Sequence, residues 1–301
     1  MSGDLADIAE LCGALAFYAN RLDNLRCLPS THSGDVNGST YLVDAADPNV
    51  ISPWFRVVEP VYAELDGHIR GVKGDLCDRV FDDPQIRDIE TRLHRLRACY
   101  ELDKEILEAT AILDGADPGA ALARMTKQQS YWTLTPDVRE ALVDCRNVAV
   151  IGSGPLPLTA LAVASELGCQ VTCIERDPLA FDLGTRLIDM TDQRELIETV
   201  CADVDDMSVM TSFDAVLGSV LLGVSVDDSN HAPKHDVVNR MMSRADPNTL
   251  LVLRDPFALG RLFYPPMDLA RLSALDVVRL DPETGLNLPY RSSFLIIRRG
   301  N

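Results

Sequence analysis

The chain has 301 residues, of which 47% are hydrophobic, and its 28 basic and 46 acidic residues give a net charge of −18 at neutral pH. This length accommodates one large domain or two ordinary ones, and the apolar content is ample for a buried core. The excess of negative charge disfavours nucleic acid and anionic membrane surfaces as partners.

The N-terminal part of the chain has the pattern of amphipathic helices. Apolar residues recur at helical spacing from Leu5 to about Met125, with charged residues between them, for example at Ile86, Ile89, Leu93, Leu96 and Tyr100. The polar stretch from Pro29 to Ser39 and the pairs Asp47-Pro48 and Ser52-Pro53 predict loops. We therefore predict a helical domain over residues 1–125, and we expect it to form a lid over the rest of the chain.

The sequence gives no indication of a membrane segment. No stretch approaches the roughly 18 uninterrupted apolar residues of a membrane-spanning helix. The N-terminus carries Asp4 and Asp7 where a secretory signal peptide would be basic. We expect a soluble protein of the cytoplasm, and the sequence leaves open whether it forms a homo-oligomer.

After Pro136 the pattern changes to short β-rich runs that alternate with helical segments. This alternation is typical of a parallel sheet covered by helices. We expect the last two strands, joined by a loop with Pro282, Gly285 and Pro289, to pair antiparallel. The predicted strands are Asn147–Ile151, Gln170–Glu175, Glu198–Ala202, Phe213–Ser219, Thr249–Arg254, Ala274–Leu280 and Ser293–Arg298.

Seven strands that end in such a hairpin resemble the fold of S-adenosylmethionine-dependent methyltransferases. The predicted fold class is therefore α/β, a Rossmann-like class I methyltransferase fold over residues 126–301 with an N-terminal helical domain before it.

A glycine turn follows the first predicted strand and leads into a helix. Gly152 and Gly154, with Ser153 between them and Pro155 after them, permit a tight turn and the close approach of a ligand to the backbone. Pro157 stands where a dinucleotide-binding motif would have its third glycine. This departure disfavours a dinucleotide pyrophosphate as the ligand.

Acidic residues follow at the ends of the next two predicted strands. Glu175 lies 21 residues beyond Gly154, where a carboxylate accepts both ribose hydroxyls of a nucleoside. Asp203 is placed to contact the adenine amine. Each residue alone also fits an ordinary turn or helix cap, but the order of turn, ribose acid and adenine acid predicts an adenosine-containing ligand.

The run from Gly152 to Thr159, Gly-Ser-Gly-Pro-Leu-Pro-Leu-Thr, resembles the signature of nicotianamine synthases. Ser130 to Thr135 is similar to that family's Asn-Tyr-Val-Asn-Leu-Thr segment. Leu253-Arg254 and the stretch from Gly260 to Pro265 resemble its Leu-Arg-Ser segment and the arginine-to-Tyr-Pro stretch that follows. The resemblance covers roughly residues 128–265. It implies that S-adenosylmethionine is a substrate, that its 3-amino-3-carboxypropyl group reacts, and that methylthioadenosine is released.

The resemblance also implies roles for individual residues. Tyr131 is expected beside the reacting group, where its ring faces the sulfonium and its hydroxyl bonds the amine. Glu101 lies in a segment like one that carries a catalytic glutamate in the family, so it is a candidate base. Arg254 and Arg261 are candidates to hold the aminobutyrate carboxylate in a bidentate fork. The candidates for binding the nucleoside are Gly152, Ser153, Gly154, Pro155, Glu175, Asp203 and Ser219.

These candidates also have structural interpretations. Tyr131 fits a core aromatic residue where the two domains meet. Glu101 fits a solvated helix face. The two arginines fit ion pairs with Asp255 or Asp268.

We predict no metal site. The eight cysteines are scattered without a C-x-x-C pair, and we expect them to be reduced thiols. His231 and His235 are four residues apart, but Pro233 lies between them and no third ligand is evident.

The residues before Ser130 depart from the family pattern, because Lys127-Gln128-Gln129 replaces an aromatic pair. We therefore expect a different acceptor site and a product other than nicotianamine. The 3-amino-3-carboxypropyl group is expected to be transferred to a small-molecule acceptor in natural-product biosynthesis, as by isonocardicin synthase. Alternatively, it is expected to close on its own amine to give azetidine-2-carboxylate. A small-molecule methyltransferase on the same fold is the second hypothesis, and a nucleoside-binding regulatory module is the third.

Overall fold

The computed structural model describes residues 2–26, 53–70, 79–206, 213–224, 232–272, 274–281 and 292–300. The predicted loop at Pro29–Ser39, the Asp47-Pro48 pair and the predicted turn at Pro282–Pro289 lie outside these residues. Among the helices that the structure describes, none is long and apolar enough to cross a membrane.

The N-terminal half is helical, as the periodicity predicts. Its helices are α1 (Ser2–Arg26), α2 (Pro53–Arg70), α3 (Pro84–Leu113) and α4 (Pro118–Thr133), followed by the short α5 (Pro136–Leu142). Proline stands at the first turn of α3, α4 and α5, and Asp83, Asp117 and Thr135 accept hydrogen bonds at their N-termini. Proline is favoured there because the first N–H groups of a helix have no partner within it. For the same reason the prediction of a loop at Pro53 is wrong, since this residue begins α2.

The described strands of the second half form one sheet of seven, in the order β3-β2-β1-β4-β5-β7-β6. β7 runs antiparallel between β5 and β6, whereas the neighbours from β3 to β5 are parallel. This confirms the predicted class and the antiparallel pairing of the last two strands. The strands are β1 (Asn147–Ile151), β2 (Gln170–Glu175), β3 (Ile197–Cys201), β4 (Ala215–Gly218), β5 (Leu250–Pro256), β6 (Leu275–Leu280) and β7 (Ser292–Arg299).

Helices cover both faces of the sheet. Alternate residues of β1 point to opposite sides, so that Val148 and Val150 belong to one buried cluster and Ala149 and Ile151 to another. The first cluster lies under α6 (Leu158–Leu167) and α7 (Pro178–Asp189). The second lies under α8 (Lys234–Arg244) and the short 3₁₀ helix Leu269–Leu272.

Helix α3 connects the two halves of the molecule. Its first part packs with α1, α2 and the 3₁₀ helix Ala258–Leu262, which follows β5. Its last part contributes Ile106 and Ala109 to the cluster on the sheet. The division at residue 125 stays a prediction, and this position lies inside α4. Because α3 packs in both places, it brings side chains of the helical half to the sheet.

Candidate functional site

Hydrogen bonds join the glycine turn to the end of β2. Gly152 and Gly154 have φ angles of 65° and 69°, in the left-handed region that favours glycine. The Gly152 amide donates to the carbonyl of Ile174 at 2.8 Å, and the Gly154 amide donates to Glu175 Oε2 at 2.9 Å. The ribose candidate Glu175 therefore holds the turn in place.

Glu175 keeps acceptor capacity for a ligand. Its Oε1 accepts from the amide of Asp177 at 2.9 Å, so each carboxylate oxygen accepts one backbone hydrogen bond. Burial raises the pKa of Glu175, while these backbone donors lower it. Because each oxygen has a further lone pair, the carboxylate has capacity for two additional hydrogen bonds. Its predicted role at the ribose stays a prediction.

A cavity of about 150 Å³ lies at the carboxyl ends of β1, β4 and β5. In open α/β sheets ligands bind at this edge. Of the residues predicted from the sequence, Gly152, Ser153, Ser219 and Arg254 line it. Ser219 also caps the turn after β4, since its Oγ accepts from the amide of Leu221 at 3.2 Å.

Glu105 is a cavity-lining residue that the sequence analysis missed. Its carboxylate comes from α3 and lies directly against Gly154, because a Cβ at that position would be 2.6 Å from Glu105 Oε2. Burial, reinforced by the charges of Glu101, Glu108 and Glu175, raises the pKa of Glu105 to about 8. A carboxylate with a pKa near neutrality in a cleft is a candidate for proton transfer.

Glu101, one helical turn before Glu105, makes a different set of contacts. Its Oε1 accepts from the hydroxyl of Tyr264 at 2.9 Å and lies 2.5 Å from Arg97 Nη2. Arg97 Nε also donates to the Tyr264 hydroxyl at 3.2 Å. Glu101 thus joins α3 to the segment after β5 and is not among the residues that line the cavity. Its role as a base stays a prediction.

Arg254 lines the cavity, and its interactions with Tyr264 and Glu101 favour the charged form of its guanidinium. Its Nη2 donates to Ser292 Oγ at 3.5 Å, and its Nε is buried without a hydrogen-bond partner in the described part of the chain. The interpretation of an Arg254–Asp255 ion pair is not supported, since Asp255 pairs with Lys234 and Arg279 instead. Burial lowers the pKa of Arg254. A guanidinium in this state is suited to bind a carboxylate.

Arg261 and Asp203 do not line the cavity. The guanidinium of Arg261 stacks on the ring of Phe81, 4.1 Å from its centroid. Asp203 lies two residues beyond β3, where its Oδ1 accepts from the amide of Asp205 at 2.9 Å and its Oδ2 lies 3.7 Å from Arg176 Nη1. Their predicted roles stay predictions.

The remaining candidates are Pro155 and Tyr131. Pro155 is buried next to the glycine turn. Tyr131 lies in α4, but its side chain is outside the described residues. Its neighbours Gln129 and Thr133 line the cavity, so the helix segment that carries Tyr131 borders the site.

Gln129 makes a polar wall on this side of the cavity. Its Nε2 donates to Thr133 Oγ1 at 2.9 Å and to Thr159 Oγ1 at 3.2 Å, and all three residues line the cavity. Gln129 belongs to the run that replaces the aromatic pair of the resembled family. This departure is visible in the sequence, but the entry of the glutamine into the site depends on the fold.

Among the described residues, no group of three or more His, Cys, Asp or Glu side chains is arranged to hold a metal ion. His231, considered in the sequence analysis, lies outside them.

A family model described as nicotianamine synthase protein matches residues 63–287. Nicotianamine synthase 3 of Arabidopsis thaliana is 29% identical over 142 residues, which are 45% of this chain and 42% of that protein. Nicotianamine synthase of Solanum lycopersicum is 28% identical over 138 residues, 44% of this chain and 42% of that protein. The matched part of the chain thus spans about two fifths of the length of these relatives.

Solved structures of the protein MtNAS are similar over almost the whole chain. A glutamate-to-glutamine variant in complex with S-adenosylmethionine has a TM-score of 0.67 at 15% identity and covers 96% of this chain and 97% of its own. MtNAS in complex with MTA and tNA has a TM-score of 0.68 at 16% identity, with 95% and 97% covered. At these identities the likeness shows a common fold, including the helical half.

Proposed function

Because this chain belongs to the nicotianamine synthase family, we propose that it binds S-adenosylmethionine and uses its 3-amino-3-carboxypropyl group as the electrophile. The observation that carries this proposal is the pair of charged groups at the cavity. Glu105 supplies a carboxyl group, and Arg254 supplies a guanidinium whose Nε has no hydrogen-bond partner among the described residues. The aminobutyrate arm of the ligand carries a carboxylate and an ammonium group beside the sulfonium, so its charges complement these two side chains.

The nucleoside half of the ligand is assigned to the neighbouring strand ends. In this proposal Glu175 binds the ribose hydroxyls, and the turn from Gly152 to Gly154 lies against the sugar. The positions support the assignment, since Glu175 Oε2 is 2.9 Å from the Gly154 amide and both lie at the carboxyl edge of the sheet. Asp203 is proposed for the adenine amine.

The reaction is a displacement at the γ-carbon of the aminobutyrate arm. The lone pair of a nucleophile forms the new bond to this carbon while the carbon–sulfur bond breaks, and its electron pair stays on sulfur to give neutral methylthioadenosine. The sulfonium has three electrophilic carbons, so orientation decides the product. In this proposal Arg254 binds the carboxylate and thereby fixes the arm.

An amine nucleophile must lose a proton before it attacks. Glu105 is proposed as the base that accepts this proton. Its pKa of about 8 is close to that of an α-amino group, which is about 8, and such matching favours proton transfer. In its ionised form Glu105 also favours binding of the cationic substrate.

The finer proposal is that the amine of the same arm is the nucleophile, so that azetidine-2-carboxylate is formed. One feature of the cavity supports cyclisation over transfer to a second molecule. Its wall at α4 is formed by Gln129 and Thr133, whose side chains are bonded to each other at 2.9 Å.

The test is to incubate the purified protein with S-adenosylmethionine alone and to identify every product by mass spectrometry. Methylthioadenosine together with azetidine-2-carboxylate supports both the use of the aminobutyrate arm as the electrophile and its cyclisation. Methylthioadenosine that forms only with an added acceptor supports transfer and contradicts cyclisation. S-adenosylhomocysteine, formed with a methylated acceptor, overturns the proposal in favour of a methyltransferase. A sample without protein corrects for spontaneous breakdown, and Glu105→Gln serves as the matched variant.

A further inference from the structure

A fully buried ion pair lies behind the cavity. The side chains of Lys234 and Asp255 are 0% and 1% exposed, with Nζ and Oδ1 3.4 Å apart. The lysine Nζ also lies within hydrogen-bond distance of three backbone carbonyls, those of Arg254 at 2.7 Å, Val220 at 3.3 Å and Pro265 at 3.5 Å. One ammonium group therefore joins three segments of the chain.

Asp255 extends this network on its other side. Its Oδ1 accepts from the amide of Met267 at 2.8 Å, and its Oδ2 lies 3.1 Å from Nη1 of Arg279 on β6. The loop after β5 and the edge strand are thus tied to the residue that follows Arg254.

A buried ion pair is by itself weak evidence for a contribution to stability. Removing two charges from water costs several kcal/mol per ion, and apolar replacements of buried ion pairs are often neutral or stabilising. Burial lowers the pKa of Lys234 to about 8, because the charged form is disfavoured there despite Asp255.

Two of the three joined segments carry residues of the cavity wall. Val220 follows Ser219, and both Ser219 and Arg254 line the cavity. The shortest contact of Lys234 is to the main-chain carbonyl of Arg254 itself. The backbone from which the Arg254 guanidinium projects is therefore held by the buried pair.

We infer that Lys234 and Asp255 are positioning residues that fix Arg254 for the carboxylate of the aminobutyrate arm. This inference rests on the proposed function, since it assigns the arm to Arg254. Neither residue touches the ligand; each acts through the backbone at Arg254.

Two thioethers test this assignment by direct binding. S-adenosylhomocysteine keeps the amino acid arm and cannot undergo the reaction, whereas methylthioadenosine lacks the arm. Calorimetry with wild type, Lys234→Met, Asp255→Asn and the double variant Lys234→Met/Asp255→Leu gives both dissociation constants. The double variant replaces both charges of the pair with apolar groups, so it leaves neither of them buried without its partner.

We expect the variants to bind S-adenosylhomocysteine about 10- to 100-fold more weakly, which is the usual size of a lost charge-assisted hydrogen bond. Binding of methylthioadenosine should change less than about threefold. Arg186→Met, which removes an exposed arginine 3.6 Å from Asp182 on α7, is the control and should change neither constant.

The outcomes separate the two levels of the hypothesis. Suppose that wild type binds both thioethers. If a folded variant then binds both more weakly by the same factor, or binds both as wild type does, the positioning role is wrong and the proposed function stands. If wild type binds neither compound, the proposed function fails and the positioning role fails with it.

Discussion

The contact between Gly154 and Glu105 makes a sharp prediction for the variant Gly154→Ala. The φ angle of 69° is unfavourable for alanine, and the new Cβ would lie 2.6 Å from Glu105 Oε2. The left-handed backbone costs about 1 to 2 kcal/mol for a residue with a Cβ. In addition the carboxylate must retreat from 2.6 to 3.4 Å, about 0.8 Å, to reach an ordinary contact.

Gly168→Ala is the matched control, because it carries the same strain without the contact. Gly168 has a φ angle of 66°, and an added Cβ there meets nothing within 4 Å among the described residues. Both variants should therefore lower the melting temperature by on the order of 2 to 6 °C. Only Gly154→Ala should displace Glu105, and a shift approaching 1 Å costs up to about 100-fold in rate.

Thermal unfolding and the steady-state release of methylthioadenosine are the two assays. We expect kcat/KM of Gly154→Ala to fall about 10- to 100-fold below that of Gly168→Ala at similar stability. In a Glu105→Ala background the substitution at Gly154 should have a much smaller further effect, because the group it displaces is already gone. Equal kcat/KM for the two glycine variants would refute the assignment of Glu105 to the reaction.

Three further predictions concern the side chains at the cavity. Because the pKa of Glu105 is about 8, the ionised fraction of this base rises from about one tenth at pH 7 to nine tenths at pH 9. The kcat/KM of wild type should rise about tenfold more over this range than that of Glu105→Gln, and parallel profiles would exclude the base role. Arg254→Met should weaken binding of S-adenosylhomocysteine about 10- to 100-fold, whereas Arg261→Met should leave it nearly unchanged in calorimetry; the reverse order would show that the wrong arginine is assigned. Tyr131→Phe should slow turnover while methylthioadenosine still binds, and unchanged turnover would remove its hydroxyl from the mechanism.

The strands and the glycine turn follow from patterns that act over a few residues. The bounds of β1 and β2 match their predictions, and β4 is shorter than predicted by two residues at its start and one at its end. Such elements are recognisable because burial imposes apolar runs on a strand and left-handed backbone imposes glycine on a turn. The sheet topology then brings Gly152 and Ser219 to one edge, so these cavity residues were predictable from strand ends alone.

The choice between chemically similar residues depended on contacts across the fold. Arg254 and Arg261 are equivalent in composition and close in sequence, but the first borders the cavity and the second stacks on Phe81. Glu101 and Glu105 are one turn apart on α3. The family resemblance favours Glu101, whereas the structure places Glu105 in the cavity and Glu101 against Tyr264.

By itself the sequence determined the family, the order of helices and strands, and the strand-end glycines. Each of these depends on residues that are close together in the chain, as a local pattern or a contiguous motif. The tertiary structure alone decided that Glu105 lies against Gly154, 49 residues away along the chain, and that its pKa rises to about 8. That contact is set by the rotation of α3 as Ile106 and Ala109 pack into the sheet cluster. The pKa depends on removal of water and on three neighbouring carboxylates, which only the packed molecule brings together.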